Sequence, residues 1–330
     1  MKKILISGGA GYLGVVLTKF LLKNYIVIVY DEFNFKWLEK NKNKLNFNER
    51  LFFIKKSILN VKIEDFKDVE VICDLNGLSN DPSSEINKAH TWKVNFYGRK
   101  KFAYLAKKAG VKKYIFNSTC AVYGFNDDIV DENSRTNPIS VYAKANLGAE
   151  KEIYKLRSKK FTVNILRNAT LYGYSPSLRL DLVVHSFVYD YYKKSKIYIN
   201  GDGNQYRPMI SIFNVCEIYT RIIKNSFPSF ICNLVDFNIK IKDLAELICT
   251  NLKLSKKIIV YKNNNNDLRN YRVKSVVFKK YFNKIDSSKF AKDLKNLLNN
   301  FKKNKIKRGA ENIRMLFYRK KFLKKNKNDE

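Results

Sequence analysis

The stretch KILISGGAGYLG, residues 3–14, joins a short apolar run to a cluster of closely spaced glycines. The apolar run predicts a buried strand, and the amphipathic residues 12–23 predict a helix directly after it. Gly8, Gly11 and Gly14 fall at the turn between the two, where they permit a sharp bend and a close backbone approach. A helix that begins there presents free backbone N–H groups to a phosphate. The stretch therefore predicts a dinucleotide site at the first strand–helix turn.

The next apolar run, IVIVYDE, ends in an acid, Asp31. A carboxylate at this point accepts hydrogen bonds from the ribose hydroxyls of adenosine and repels a 2′-phosphate, so we expect NAD rather than NADP. The alternative is an ordinary glycine turn followed by a solvated aspartate. We disfavour it because strand, turn, helix and acid follow one another in the order that a dinucleotide site requires.

Apolar runs alternate with amphipathic stretches along much of the chain. The runs that predict strands are KILIS, IVIVY, LFFI, VEVICDL, KYIFNS, TVNILR and ICNLV, and helical patterns such as 84–109 and 140–158 lie between several of them. This alternation predicts an α/β fold, a Rossmann-type doubly wound parallel sheet with helices on both faces.

The domain organisation follows from where the alternation is clear and where it loosens. We expect residues 1–170 to form the dinucleotide-binding domain, with 209–235 returning to it. Residues 171–208 and 236–300 are expected to form a smaller substrate-binding lobe over the carboxyl ends of the strands, where such sheets bind ligands. Residues 301–330 form a basic C-terminal tail.

The formal charge of +34 on 330 residues is extreme and is typical of proteins that bind nucleic acid. Between Lys302 and Lys327 there are twelve basic residues against one acid, Glu311. The remaining excess is spread along the chain, and Lys, Asn, Ile, Phe and Tyr are all abundant, so we favour compositional drift over specific nucleic-acid binding. The tail could also lie on an anionic membrane as an amphipathic helix, although we favour a docked or frayed terminus.

Cysteine spacing and hydropathy indicate the compartment. The five cysteines lie far apart without a CxxC pair, which argues against a disulfide framework and against a zinc site. No run reaches the roughly 18 apolar residues of a transmembrane helix, and glycines interrupt the apolar run near the N-terminus. We therefore expect a soluble, cytoplasmic protein with no metal site.

Three later stretches carry the remaining motifs: WKVNFYGRKKFAYLAKKAGVKKYIFNSTCAVYG (92–124), DENSRTNPISVYAKANLGAE (131–150) and LRNATLYG (166–173). With the glycine turn, in this order, they resemble the extended short-chain dehydrogenase/reductases, and specifically the NAD-dependent sugar-nucleotide epimerase/dehydratase family, over residues 1–300. The resemblance implies a bound NAD that oxidises a sugar hydroxyl of a nucleotide sugar, in surface-glycan or nucleotide-sugar metabolism.

The resemblance also implies roles for single residues. Tyr142 matches the family's catalytic base, and Thr119 matches the Ser or Thr that hydrogen-bonds the reacting sugar oxygen. Arg207 and Arg269 match arginines that hold the substrate's diphosphate, and a guanidinium fork suits phosphate oxygens. The other implied contacts are with the substrate, at Asn168 and His185, and with the cofactor, at Gly8, Gly11, Tyr12, Leu13, Gly14, Asp31, Ile58, Leu75, Asn95, Tyr142 and Asn146.

One of these positions departs from the family's pattern. The base normally stands in YxxxK, whose lysine holds the nicotinamide ribose and lowers the tyrosine pKa, but here the fourth residue is Asn146. Lys144 cannot replace that lysine, because two residues along a helix correspond to about 200° of rotation. An asparagine still reaches a ribose hydroxyl without bringing charge, so the alternative hypothesis is a catalytically impaired protein that binds NAD or a nucleotide sugar. On the same reasoning, Asn146→Lys is expected to lower the pKa of Tyr142 and to increase turnover.

The reaction type and the oligomeric state also follow from the resemblance. The family's 4,6-dehydratases carry an acid pair after the active-site Thr, whereas Thr119 is followed by Cys120 and Ala121. Dehydration is therefore disfavoured, while epimerisation and simple carbinol–ketone redox chemistry remain open. A homodimer is implied, in which the helices within 84–109 and 140–158 pair with their symmetry mates.

Overall fold

The computed structural model describes residues 1–44, 48–262, 269–282 and 289–326. In chain order its strands are β1 Lys3–Ser7, β2 Ile26–Asp31, β3 Leu51–Lys55, β4 Val69–Asp74, β5 Lys113–Thr119, β6 Ile129–Val130, β7 Thr162–Asn168, β8 Thr170–Tyr172, β9 Ile197–Asn200, β10 Tyr206–Ser211, β11 Phe230–Leu234, β12 Phe237–Lys240, β13 Ile259–Lys262 and β14 Arg272–Val273. The α-helices are α1 Tyr12–Leu21, α2 Trp37–Lys40, α3 Asp81–Ile86, α4 Lys88–Trp92, α5 Arg99–Lys108, α6 Val141–Lys155, α7 Val183–Lys194, α8 Ile212–Lys224, α9 Ile241–Leu252, α10 Val276–Tyr281, α11 Phe290–Lys303 and α12 Arg314–Asn326.

Seven parallel strands form the central sheet, in the order β11-β7-β5-β4-β1-β2-β3. Helices α1 and α8 cover one face and share a buried apolar core with it, while α5 and α6 cover the other face. Because both faces of the sheet are covered by helices, its strands are apolar on both sides, which explains their continuous apolar runs in the sequence. The structure confirms the predicted α/β fold with a doubly wound parallel sheet.

The register of the sheet brings the carboxyl ends of its strands to one edge. Ser7, which ends β1, is level with Tyr30 of β2 and with Asp74 of β4. Thr119, which ends β5, is level with Asn168 of β7. Residues that are far apart in sequence therefore meet at the edge where α/β sheets bind ligands.

Smaller sheets lie beyond this edge: β8, β10 and β12 form one, β9 and β13 a second, and β6 and β14 a third. A separate apolar core gathers around α7, α9 and α11. Within 209–235, α8 packs on the central sheet and β11 is an edge strand of that sheet, whereas the preceding strand β10 pairs with β8 and β12. The division into a domain of 1–170 with 209–235 and a lobe of 171–208 with 236–300 remains a prediction.

The amphipathic stretch 84–109 is not one continuous helix. Asn87 adopts an extended conformation between α3 and α4, and its side chain accepts a hydrogen bond from the His90 backbone N–H at 2.8 Å. An N-cap of this kind starts a new helix rather than continuing the old one. A π-helical segment over Lys93–Gly98 then leads into α5.

The basic tail contacts both parts of the molecule. Phe301 at the end of α11 is buried in the core around α7 and α9, while Tyr318 of α12 is buried in the core beneath the central sheet. The Leu180 N–H donates to the Asn312 carbonyl at 2.7 Å and fixes the segment between the two helices. Among the described residues, no helix combines the length and the apolar character needed to cross a membrane.

Candidate active site

The glycine turn between β1 and α1 has a shape that larger residues cannot adopt. Gly8 has φ +71°, and a Cβ atom at Gly14 would lie 2.5 Å from the Gly9 Cα. The Gly11 N–H donates to the Gly8 carbonyl at 3.1 Å, which closes the turn. Because Gly11 is the N-cap and carries no side chain, the first backbone N–H groups of α1 are left for a ligand. The turn is therefore a cradle for a diphosphate.

Asp31, at the end of β2, is fastened to this turn. Its Oδ2 accepts the Ala10 backbone N–H at 3.1 Å, and its Oδ1 accepts the Phe33 backbone N–H at 2.7 Å. Burial raises the pKa of the Asp31 carboxyl to about 6, although both backbone hydrogen bonds oppose that shift. A carboxylate held beside a glycine cradle fits the adenosine ribose of a dinucleotide.

A cleft of about 650 Å³ runs from this turn to the smaller sheets, and we refer to it as the cleft. Most residues predicted to form the site line it: Gly8, Gly11, Tyr12, Leu13, Gly14, Asp31, Ile58, Leu75, Thr119, Tyr142, Asn168, Arg207 and Arg269. Its volume falls within the range of typical small-molecule sites.

Tyr142 and Thr119 meet in the middle of the cleft. Tyr142 lies in the first turn of α6, which begins after the Ser140 N-cap, and Thr119 ends β5. Both side chains line the cleft, and the Thr119 hydroxyl lies close enough to the phenol to affect its pKa. Burial raises the pKa of the Tyr142 phenol, and the Asp81 carboxylate raises it further, whereas the Thr119 hydrogen bond and the cations Arg179 and Arg99 lower it.

Asn146 does not line the cleft, and both ends of its amide are already engaged. Its Oδ1 accepts from Arg99 Nη1 at 2.9 Å, and its Nδ2 donates to the Tyr142 carbonyl at 2.8 Å. The second N–H of its Nδ2 has no acceptor among the described residues, but the residue is only 2% exposed. Asn146 therefore binds a buried arginine in this structure, and its expected contact with the cofactor stays a prediction.

Asn95 and His185 also lie outside the lining of the cleft. Asn95 is paired with the backbone of Leu78, accepting from its N–H at 2.8 Å and donating to its carbonyl at 3.0 Å, so it holds the loop after β4. The His185 ring is fully buried between the Tyr12 hydroxyl at 3.3 Å and the Arg179 carbonyl at 2.7 Å. Burial lowers the pKa of His185 to about 4, so the ring is neutral near pH 7, and its contact with the substrate stays a prediction.

Arg207 and Arg269 are brought together in the lining of the cleft. Arg207 donates to the backbone carbonyls of Tyr206, at 2.7 Å, and of Arg269. Arg269 forms an ion pair with Asp81, at the start of α3. The two arginines are therefore neighbours, and their binding of the substrate's diphosphate stays a prediction.

Three charged residues that sequence reasoning missed also belong to this region. Arg179 lines the cleft and pairs with Asp181 at 2.7 Å, and Arg314 of the tail lines the cleft at the side of Asp31. The segment around Arg179 has no periodic pattern, and Arg314 stands in the basic tail, for which the sequence predicts no site residue. Neither Arg179 nor Arg314 therefore stands in a sequence motif that could have identified it as a site residue.

Comparisons with known proteins agree with this geometry. The model of the NAD-dependent epimerase/dehydratase family matches residues 4–234. The chain belongs to this family. A Bacillus subtilis relative described as an uncharacterised UDP-glucose epimerase is 30% identical over 67% of this chain and 72% of its own length. The human dTDP-D-glucose 4,6-dehydratase is 26% identical over 74% of this chain and 71% of its own length.

Solved structures share the fold. The UDP-N-acetylglucosamine 4-epimerase from Methanobrevibacter ruminantium, in complex with UDP-N-acetylmuramic acid, superposes with a TM-score of 0.81 at 23% identity and covers 92% of this chain and 99% of its own. A dTDP-glucose 4,6-dehydratase from Streptomyces venezuelae superposes equally well, with a TM-score of 0.81 at 20% identity, over 92% of this chain and 98% of its own. The family membership implied by the motifs is confirmed, with NAD as the cofactor of the family. Because dehydratases match as well as epimerases, the comparisons do not confirm that dehydration is disfavoured.

Proposed function

We propose that this chain is an NAD-dependent epimerase or oxidoreductase that acts at a sugar carbinol of a nucleotide sugar, in surface-glycan or nucleotide-sugar metabolism. The observation that carries the proposal is that Tyr142 and Thr119 lie close together in a cleft that is also lined by the glycine turn and by two arginines, Arg207 and Arg269. A base and a hydroxyl donor placed between two anion-binding regions suit a substrate whose sugar is attached to a diphosphate.

Each part of the cleft has its own role in this proposal. The glycine turn and Asp31 hold NAD, which supplies the hydride acceptor when bound. Arg207 and Arg269 bind the diphosphate of the substrate, and the sugar then extends toward the Tyr142–Thr119 pair. Arg269 exchanges its Asp81 partner for a phosphate oxygen when the substrate binds.

The proton of the reacting hydroxyl passes to the Tyr142 phenolate. Thr119 donates a hydrogen bond to the same sugar oxygen and keeps it within reach of the phenol. Arg99 and Arg179 provide the positive charge that favours the phenolate, in place of the lysine that the family normally carries. The catalytically impaired alternative is disfavoured because these cations act on the phenol and because the matching relatives are described as enzymes.

Epimerisation or simple redox chemistry is proposed in preference to dehydration. Ala121 lines the cleft where the dehydratases carry an acid, and it has no proton to give. The Cys120 thiol is buried and donates to the Arg167 carbonyl at 3.1 Å, and burial raises its pKa. Neither residue therefore supplies the acid that elimination of water needs.

Incubation of the protein with NAD and a panel of UDP- and dTDP-sugars tests the proposal. The product of an epimerase has the mass of its substrate and a different retention time, whereas a dehydrated product lacks one water. An oxidised product is accompanied by reduced NAD, which is followed by its absorbance. A dehydrated product would refute the preferred reaction, and binding without turnover across the panel would support the impaired alternative.

We also propose a homodimer, formed by α6 and by the composite segment of α3 to α5. Tyr97 and Tyr104 are 62% and 48% exposed on that segment, which is unusual for large aromatic side chains. An isologous pairing of these helices would cover both. Light scattering of Tyr97→Asp should show a monomer, whereas Tyr261→Asp, at an exposed position on β13, should leave the dimer intact. A monomeric wild-type protein at micromolar concentration would refute the dimer.

A further inference from the structure

Helix α12 of the basic tail lies against the cofactor side of the cleft. Phe317 packs on Phe35, in the loop after β2, with ring centroids 5.0 Å apart. Lys321 pairs with Glu32 at 2.9 Å. Tyr318 is 8% exposed and lines the cleft together with Arg314. The helix therefore forms a wall at the end of the cleft where Asp31 lies.

Arg314, the first residue of α12, has a buried guanidinium with unused hydrogen-bonding capacity. The residue is 2% exposed, and its guanidinium lies 3.4 Å from the centroid of the Phe35 ring. Its Nη1 donates to the Glu311 carbonyl at 3.2 Å. Its Nη2 is buried and has no hydrogen-bond partner among the described residues. A buried charged donor without a partner is costly, so a native structure usually provides one.

The charges around Arg314 indicate what that partner would be. Arg179 lies close enough to lower the pKa of Arg314, and burial is the larger cause of a pKa of about 9. The nearest acids are engaged elsewhere: Asp181 pairs with Arg179 at 2.7 Å, and both oxygens of Asp31 accept backbone N–H groups. The place between the two arginines and the glycine turn therefore suits an anion with several acceptor oxygens.

We propose that Arg314 binds the diphosphate of the dinucleotide, so that α12 completes the cofactor site from outside the nucleotide-binding domain. The glycine turn offers backbone N–H groups to one side of the diphosphate, and Arg314 offers a charged donor to the other. Arg207 and Arg269, which are neighbours in the lining of the same cleft, are the residues proposed above to bind the substrate. The proposal goes beyond the catalysed reaction, because it concerns binding of the cofactor and is tested without turnover.

Calorimetric titration of three ligands tests this proposal: NAD⁺, ADP, which carries the diphosphate, and adenosine, which does not. Arg314→Gln should weaken NAD⁺ and ADP binding about tenfold to hundredfold, or about 1.4 to 2.8 kcal/mol, and leave the affinity for adenosine unchanged. Arg314→Lys keeps the charge and should recover part of the loss. Arg319→Gln, which removes the same charge from an exposed position of the same helix, should leave all three affinities unchanged.

Two results would overturn the proposal. Unchanged or tighter NAD⁺ binding by Arg314→Gln would mean that the helix only covers the site. An equal loss for adenosine would mean that the arginine serves packing on Phe35 instead of the diphosphate. If Arg314→Gln does not fold, amide exchange in the wild-type protein decides: ADP should slow exchange in α12 and adenosine should not, and equal protection by both refutes the proposal.

Discussion

The glycine turn and the base helix α6 stand at the same edge of the sheet but are built in different ways. The turn is made from backbone, and its shape follows from the absence of side chains within one short stretch. The surroundings of Tyr142 are made from side chains that come from β4, α5, β5 and α6. A local sequence pattern is therefore enough to predict the glycine turn. The effect of a single substitution near Tyr142, in contrast, can be predicted only when the residues that contact it are known.

The departure from the family's pattern at Asn146 shows this dependence. Asp74 and Asn146 are far apart in sequence, yet both bind Arg99, which donates from Nε to Asp74 at 2.9 Å and from Nη1 to Asn146 at 2.9 Å. The Arg99 guanidinium also lies 3.7 Å from the centroid of Phe116. One buried cation thus connects Asn146 with Asp74 and reaches the phenol electrostatically, which makes Arg99 a positioning residue for the base.

Removal of the phenol should have the largest effect on the base region. Tyr142→Phe keeps the ring and removes the proton acceptor, so turnover should fall about a hundredfold to ten-thousandfold. Steady-state rates on one accepted nucleotide sugar measure the loss, with Tyr261→Phe at an exposed position as the control. Full activity of Tyr142→Phe would show that another group is the base.

The wild-type pH profile tests the same residue. Because burial and Asp81 raise the pKa of Tyr142 above its ordinary value, the phenolate is the minor form at neutral pH. Its fraction grows about tenfold for each pH unit below the pKa. Turnover should therefore rise from neutral toward alkaline pH, and a rate that is flat over this range would contradict the assignment.

Asn146→Lys should have the next largest effect, and its sign differs from the expectation drawn from the sequence. The new ammonium would face the Arg99 guanidinium in a site that is 2% exposed, so the substitution places an unpaired second cation in the interior. A loss of about 3–5 kcal/mol in the free energy of unfolding is expected, without any gain in turnover. Urea unfolding measures the stability, and Lys144→Asn, at an exposed position of the same helix, is the control.

A double variant makes this test sharper. Arg99→Met combined with Asn146→Lys leaves one cation in the network, so it should be more stable than the sum of the two single changes predicts. A coupling of about 1–3 kcal/mol in the double-mutant cycle is expected. Additive effects would mean that Arg99 and Asn146 do not act as one unit.

A smaller effect is expected from a change in the glycine turn. Gly14→Ala places a Cβ atom 2.5 Å from the Gly9 Cα, which the backbone of the turn relieves only by moving. Overpacking of this kind costs about 1–3 kcal/mol of stability, and the displaced turn should bind NAD⁺ at least tenfold more weakly. Gly309→Ala is the matched control, because its Cβ would first meet the movable carboxylate of Glu311. Unchanged NAD⁺ affinity in Gly14→Ala would contradict the inference that the backbone shape of the glycine turn determines cofactor binding.

The smallest effect concerns the choice between NAD and NADP. Near pH 7.5 the Asp31 carboxylate is ionised and should favour NAD⁺ over NADP⁺ by about tenfold or more. The raised pKa, about 6, means that the folded protein takes up this proton as the pH falls from 7 to 5, so the preference should shrink over that range. Calorimetry at both pH values measures it. Asp31→Asn should lose both the preference and its pH dependence, and Asp128→Asn, at an exposed loop position, should retain both. Equal affinities for the two cofactors in the wild type would refute the role of Asp31.

Sequence patterns predicted the features that depend on neighbours in the chain. The order of strands and helices, the glycine turn and Asp31 all follow from periodicity and short motifs, and the family's motifs located Tyr142 and Thr119, which meet in the cleft. The break at Asn87 within 84–109 was missed because a single capping residue leaves the amphipathic pattern intact.

The remaining features depend on partners that no window of sequence contains. The burial of Asn146 against Arg99 and of His185 between Tyr12 and Arg179 is set by tertiary packing. Arg314 looked like one more charge in a basic tail, and only the docking of α12 makes it part of the cleft. The spacing of residues along the sequence does not reveal long-range contacts of this kind.

The contact between Lys321 and Glu32 joins residues separated by 289 positions, and this has a consequence for the way the protein is made. Chains emerge from the ribosome with their N-terminal domains first. The first strands of the nucleotide-binding sheet can therefore pair before α12, which forms one wall of the cleft, has been translated. Until residues 314–326 have emerged, the nascent protein holds an open and incomplete cofactor site, so tight retention of the dinucleotide belongs to the last stage of its synthesis.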